Sequence, residues 1–162
     1  MAVFYLDTSA LVKRYRTEQG TEVVEELLAN PSPDDRFFIC FLSIIELTSG
    51  VLRLVRGGQL RGDTANRILA RFRLDVRELF RVWPLNEQVA ADAVTVAEQH
   101  KLRSGDAIHL AAAQQIAGAA SGARVVMVSS DRELVDAAQA AGLAALDPQA
   151  SGSAAKLKEV KE

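Results

Sequence analysis

The chain has one cysteine, Cys40, and two histidines, His100 and His109. A lone thiol excludes an internal disulfide, and its place in the apolar run Phe37–Leu42 reads as core, which fits a reducing cytoplasm. One thiol and two separated imidazoles do not make a zinc set. No apolar run approaches the length needed to cross a bilayer. The first residues lack the basic flank and long apolar core of a signal peptide. We therefore expect a cytoplasmic protein with no membrane partner. Net charge is only −2, which argues neither for nor against nucleic acid.

What is present is ordinary in bulk and uneven in detail. With 162 residues, 49% hydrophobic and 25% charged, the chain reads as one globular domain with a real core. Between Arg53 and Arg81 there are eight arginines against three acids. Arginine grips phosphate in a fork better than lysine does. A solvated helix face with local ion pairs accounts for the same residues, and sequence alone leaves both readings open.

Strands alternate with helices along the chain. Val3–Leu6, Phe37–Phe41 and Val125–Val128 read as buried strands, and Val82–Leu85 as a strand near an edge because Pro84 lacks a donor. Leu143–Leu146 is a short last strand. Helices are expected over Ala10–Tyr15, Glu18–Leu28, Ser43–Arg56, Thr64–Phe80, Asn86–His100, from Ser104 fading into Gly118–Gly122, and over Glu133–Ala141. This alternation predicts an α/β fold with a parallel sheet and helices on both faces. The domain is expected over 1–147. From Pro148 the chain has few groups to bury, so 148–162 is expected to be a flexible tail or a frayed helix.

Four acids share one description. Asp7 and Asp131 follow predicted strands, and Glu46 and Asp106 lie in first turns of predicted helices. In a parallel sheet both kinds of position open on the same edge, where α/β proteins place their sites. Each has a local explanation. Asp106 complements the positive end of its helix behind the N-cap Ser104. Ser43 with Glu46, and Ser130 with Glu133, match capping boxes. Four acids together are unfavourable unless a cation neutralises them, and oxygen donors without thiolates suit Mg²⁺ or Mn²⁺. His109 reads as a core residue or as support behind the acids.

The motifs carry a resemblance. Leu6-Asp7-Thr8-Ser9-Ala10-Leu11-Val12-Lys13 resembles the first motif of PIN-domain proteins. Leu102 to Ala111, with Ser104-Gly105-Asp106-Ala107, resembles their third, and Val128 to Leu134 their fourth. Ser43-Ile44-Ile45-Glu46-Leu47 sits where the family places its glutamate. The resemblance covers roughly 1–147 and is nearest to the VapC-type toxins of toxin–antitoxin pairs. It implies a three-layer PIN-like fold with a central parallel sheet of about four to five strands. It also implies a Mg²⁺-dependent ribonuclease (Mn²⁺ substituting), with Asp7, Glu46, Asp106 and Asp131 as the acidic quartet holding metal. Ser9 and Ser130 would stand behind the acids, and Lys13, Arg14, Arg53, Arg56 and Arg103 are candidate contacts to RNA. The implied partners are RNA, a VapB-type antitoxin occupying the catalytic groove, and a second copy in a homodimer.

Rival functions meet specific obstacles in the sequence. A phosphoryl-transfer enzyme of the haloacid-dehalogenase kind wants an acid two residues after its nucleophilic aspartate, and Ser9 stands there. A non-catalytic PIN fold acting as a binding module is opposed by the intact acids. A PIN nuclease of RNA processing, outside any toxin–antitoxin pair, would use the same residues.

Overall fold

A computed structural model describes residues 2–120 and 122–161. Met1 and Glu162, at the ends of the expected domain and tail, lie outside the described residues, as does Ser121 in the expected fading of the helix over 118–122.

The sheet has five strands, β1 Ala2–Leu6, β2 Arg36–Cys40, β3 Phe80–Trp83, β4 Arg124–Val128 and β5 Ala144–Leu146, in the order β3-β2-β1-β4-β5. Every pairing is parallel. The strands near 3–6, 37–41 and 125–128 are thus neighbours running the same way, as expected. The chain builds outward from β1 to β2 and β3, then crosses back to place β4 on the other side of β1. The order therefore reverses between β1 and β4, and clefts for ligands open beyond the carboxyl ends of strands at such a point.

Alternation along the strands divides the core into two layers. Ala2, Phe4, Leu6, Val126 and Val128 face one side, packed by α1 Thr8–Leu11, α2 Thr21–Ala29, α3 Phe41–Arg56 and α4 Gly62–Glu78. Val3, Tyr5, Val125 and Met127 face the other, packed by α5 Glu87–His100, α6 Ser104–Ala119 and α7 Arg132–Ala140. In α6 the buried residues include Ala107, Leu110, Ala111, Ala112, Ala113 and Ile116. Small side chains let this helix lie close against the sheet and against α5.

Helix starts differ from expectation at informative places. α3 begins at Phe41 with Cys40 as N-cap. Ser43 is therefore a buried residue within the helix, and no capping box with Glu46 forms. α6 is capped at Arg103 without a side-chain bond, so Ser104 is its first residue and not its cap. α7 is capped by Asp131, whose carboxylate accepts from the Leu134 N–H, and Ser130 plays no such part. α4 stops before Phe80, which joins β3 instead.

In the segment after Pro148, expected to be a flexible tail or a frayed helix, Ser153–Lys161 forms a helix, α8, with Leu157 and Val160 buried beside α2 in the first core layer. Two apolar residues were enough because the site waiting for them was already shaped. Gly20 has φ +85°, and a methyl there would stand 2.6 Å from the Pro148 carbonyl oxygen. Only glycine allows that approach. At the far end, Lys161 Nζ donates to the Asn30 carbonyl at 3.0 Å, past the C-terminus of α2, where a cation complements the helix dipole.

Candidate active site

β1 delivers Asp7 to the open edge, 3% exposed. Its Oδ1 caps α1, accepting from the Ala10 N–H at 2.9 Å. Ser9 Oγ donates to Oδ1 at 2.8 Å, and Ser129 Oγ donates to Oδ2 at 2.9 Å. Register explains the second bond. Leu6 pairs with Val128, so the next residues along each strand, Asp7 and Ser129, meet. Despite these donors, burial pushes the Asp7 carboxyl above its usual range, with the nearby His109 acting against the rise.

Asp131 stands three residues beyond the end of β4. Its backbone N–H donates to Ser129 Oγ at 3.0 Å, so one hydroxyl links the two aspartates. Its Oδ2 lies 3.9 Å from the Arg103 guanidinium. Ser130, expected behind the acids, contributes its backbone N–H to Ser9 Oγ at 2.9 Å, while its own hydroxyl is buried without a partner among the described residues. The hydroxyl behind Asp7 and Asp131 is therefore that of Ser129, which sequence reading missed. The available signal was strand alternation, since Ser129 continues the side of β4 that carries Met127.

Asp106 stands in the first turn of α6. Among the described residues its carboxylate makes no hydrogen bond and no ion pair, not even to its own helix end. Partial burial raises its pKa, and the Asp131 and Asp7 carboxylates raise it further. Glu46 projects from α3. Its Oε1 accepts from Thr8 Oγ1 at 2.8 Å and faces His109 Nε2 at 2.7 Å. Its Oε2 lies beside Gly105, where an added methyl would stand 3.5 Å away. Burial pushes the Glu46 carboxyl up, but the His109 and Thr8 contacts outweigh it and hold the group below its usual range. The four acids thus lie toward one edge of the sheet, Glu46 from the second turn of α3 and not from the first turn expected of it.

A model of the PIN domain matches residues 4–140. The chain belongs to the PIN-domain family. Comparison with curated proteins gives no match. Solved structures agree on the fold. FitAcB from Neisseria gonorrhoeae is 24% identical, with a TM-score of 0.66 over 90% of this chain and 97% of that one. VapBC-1 from nontypeable Haemophilus influenzae is 16% identical, TM-score 0.63, over 91% and 99%. Mycobacterium tuberculosis VapC20, a toxin that cleaves the sarcin–ricin loop, is 18% identical, TM-score 0.59, over 86% and 95%.

Within this PIN fold the basic residues divide sharply. Lys13, expected at the RNA, is 1% exposed and pairs with Glu18 at 2.7 Å. Arg14, also expected there, is forked onto Asp75 at 2.7 and 3.3 Å. Lys13 is committed to holding the fold, because a buried cation needs its counter-charge, and Arg14 is occupied by the buried Asp75. Arg53 lines a cleft of about 390 Å³ beside Thr8, Ser9, Arg16, Glu46 and Gly50. Arg56 is exposed one turn beyond Arg53 on α3, and Arg103 is exposed beside Asp131. Of the arginine-rich stretch, Arg61, Arg71 and Arg77 are taken by Asp63, Asp75 and Glu78.

The PIN acids suit a hard cation by type. Among the described residues no three acid, histidine or cysteine side chains stand close enough to enclose an ion. Mg²⁺ does not require that, since it is commonly held by one or two carboxylates with water completing its shell. Asp106, raised by burial and by its acidic neighbours, has the open oxygens and the unrelieved charge that such an ion would relieve, whereas both oxygens of the buried Asp7 already accept hydrogen bonds.

Proposed function

We propose that this PIN-domain chain is a divalent-metal-dependent endoribonuclease that cuts RNA phosphodiester bonds, acting as the toxin of a type II toxin–antitoxin pair. One observation carries the reading: among the described residues the Asp106 carboxylate has no hydrogen bond or ion pair, and burial together with the Asp131 and Asp7 carboxylates raises its pKa. A like-charge cluster at a sheet edge is unfavourable until a cation arrives. Asp7 and Asp106 would hold Mg²⁺, or Mn²⁺ in its place, with Asp131 and Glu46 completing the quartet. Such an ion, when bound, activates water for in-line attack and offsets charge on the phosphoryl oxygens. Ser9 and Ser129 keep Asp7 oriented from behind. Glu46 presents its Oε2 to the same space, suited to orienting the attacking water. No histidine base or serine nucleophile is needed. Arg53, Arg56 and Arg103 would take flanking RNA phosphates, which makes affinity fall with salt.

The toxin assignment follows the neighbours in fold, several of which are toxin–antitoxin complexes. The cleft between Arg16, Glu46 and Arg53 combines apolar walls from Val12, Leu47 and Leu54 with charge of both signs. It suits an antitoxin tail with a basic residue and apolar anchors. Phe41, Ile45 and Leu52, each about half exposed, fall on one face of α3 and suit a homodimer contact. No helix among the described residues is long and apolar enough to cross a membrane, and we place the protein in the cytoplasm.

The test is cleavage of an RNA oligonucleotide by purified protein in Mg²⁺, in Mn²⁺ and in chelator, beside D106N. Cutting that needs metal and Asp106 supports the reading. Metal-independent cutting, or none with any RNA, overturns it and leaves the PIN fold as a binding module. Growth arrest on expression, relieved by a small neighbouring reading frame, separates a toxin from a processing nuclease.

A further inference from the structure

Behind the acids lies a second set of polar groups that the proposed chemistry leaves unused. Tyr5 and His109 are 0% and 2% exposed, within a layer otherwise built from apolar residues such as Val3, Leu110 and Met127. The Tyr5 hydroxyl is 2.7 Å from His109 Nδ1, and His109 Nε2 is 2.7 Å from Glu46 Oε1. A carboxylate only accepts, so Nε2 carries a hydrogen and donates it. In the neutral ring Nδ1 is then a lone pair, and the Tyr5 hydroxyl donates to it. With that neutral ring the chain of bonds runs one way, from the core outward to Glu46.

The spacing repeats that of the acids one level deeper. Asp7 follows Tyr5 by two along the strand direction, on the same side of the sheet. Asp106 precedes His109 by three, on the same face of α6. β1 and α6 therefore face each other twice, through Asp7 and Asp106 at the edge and through Tyr5 and His109 below. Glu46 enters from α3, and its side chain is 38% exposed. Left alone, such a side chain samples many rotamers. Here Thr8 and His109 both hold Oε1, while Oε2, beside Gly105, makes no hydrogen bond among the described residues.

We propose, resting on the nuclease reading, that His109 backed by Tyr5 is the positioning residue of this site: it fixes Glu46 by one oxygen so that the other is presented to the metal ion or its water. Residue type fits the task. A rigid imidazole carries a donor and an acceptor on opposite sides and so spans from Tyr5 to Glu46. Groups that orient a metal's ligands affect affinity or activity about 10–100-fold.

The experiment compares wild type, H109L, H109Q and Y5F. Glutamine copies the Nε2 donor and leucine copies only the bulk. Three readouts are taken: Mn²⁺ binding by calorimetry, kcat and KM on an RNA oligonucleotide in Mg²⁺, and ¹⁵N spectra of the two histidines in metal-free protein, with His100 as internal control. We expect H109L to weaken Mn²⁺ binding and kcat by about 10–100-fold, with KM for RNA little changed. H109Q should recover most of the loss, and Y5F should lose only a few-fold. Metal-free wild type should show the Nε2–H tautomer at His109, and E46Q should shift that resonance but not His100. A folded H109L that binds Mn²⁺ and cuts like wild type overturns the proposal, as does an H109Q no better than H109L. If H109L does not fold, an Nδ1–H tautomer in wild type, or a wild-type kcat for H109Q with the E46Q shift absent, overturns it. A wild type that neither binds Mn²⁺ nor cuts RNA is a different failure, that of the nuclease reading itself.

Discussion

Asp75 and Asp106 are both helical aspartates drawn toward the interior, and the chain treats them oppositely. Asp75, on α4, receives Arg14 through two bonds, the Tyr15 hydroxyl at 2.8 Å and Arg71 at 3.3 Å. Burial pushes its carboxyl up, but these donors win and hold it below the usual range. Asp106 receives none of this and is raised by burial and by two acids. A carboxylate kept for structure comes with its counter-charges. One left without them is where a ligand or ion is expected to supply the missing charge. The same contrast holds among the arginines, with Arg14 spent on Asp75 while Arg53 borders the cleft.

The sharpest way to break this comparison is by activity. D106N should lower RNA cleavage by about two orders of magnitude or more, the scale found when a charge-stabilising group is removed. D75N, assayed under conditions where it is folded, should cut within a few-fold of wild type. Equal losses in a single-turnover assay would erase the distinction.

Stability should show the reverse order. D75A leaves Arg14 without its partner and should cost about 3–5 kcal/mol in urea unfolding, as for one partner of a buried ion pair. D106A should change stability by less than about 1 kcal/mol, since a partly exposed charge interacts weakly through solvent. A larger cost at Asp106 than at Asp75 would assign Asp106 to the fold.

Acid should separate the two by sign. The folded protein binds the Asp106 proton more tightly than the unfolded chain does. Its carboxylate therefore destabilises the metal-free fold as pH rises from about 4 through the raised folded value. D106N in chelator should then be the more stable protein at pH 7 and should lose that advantage below about pH 4. Asp75 has a lowered folded pKa. Its contribution is complete above about pH 4 and is lost as pH falls through the folded value. Melting curves from pH 3 to 7 for both variants test this. An advantage of D106N that persists when the carboxylate is protonated would have another cause.

The smallest effect is expected at the arginines. R53A should weaken binding of uncleavable RNA a few-fold and reduce the slope of log affinity against log salt by about 1. Binding that is unchanged in affinity and in salt slope would remove Arg53 from the RNA path.

Much of this was legible in the sequence because it depends on local periods. Apolar runs bounded by polar residues marked the strands, and their alternation with helices required a parallel sheet. An acid just after a strand, or in the first turn of a helix, must lie at one edge of such a sheet, which is where Asp7, Asp106 and Asp131 stand; Glu46 was expected in a first turn, but α3 starts at Phe41 and Glu46 stands in its second turn. The tertiary structure decided everything that depends on which side chain meets which across the chain. Register put Ser129, and not Ser130, behind Asp7. Packing of α3 against α6 replaced a local capping box with the contact from His109 to Glu46. The pocket around Asp75 consumed Arg14, Glu18 consumed Lys13, and a groove beside α2 gave order to residues 153–161. Local patterns record what one segment prefers, whereas the partner of Asp75 is Arg14, 61 positions away.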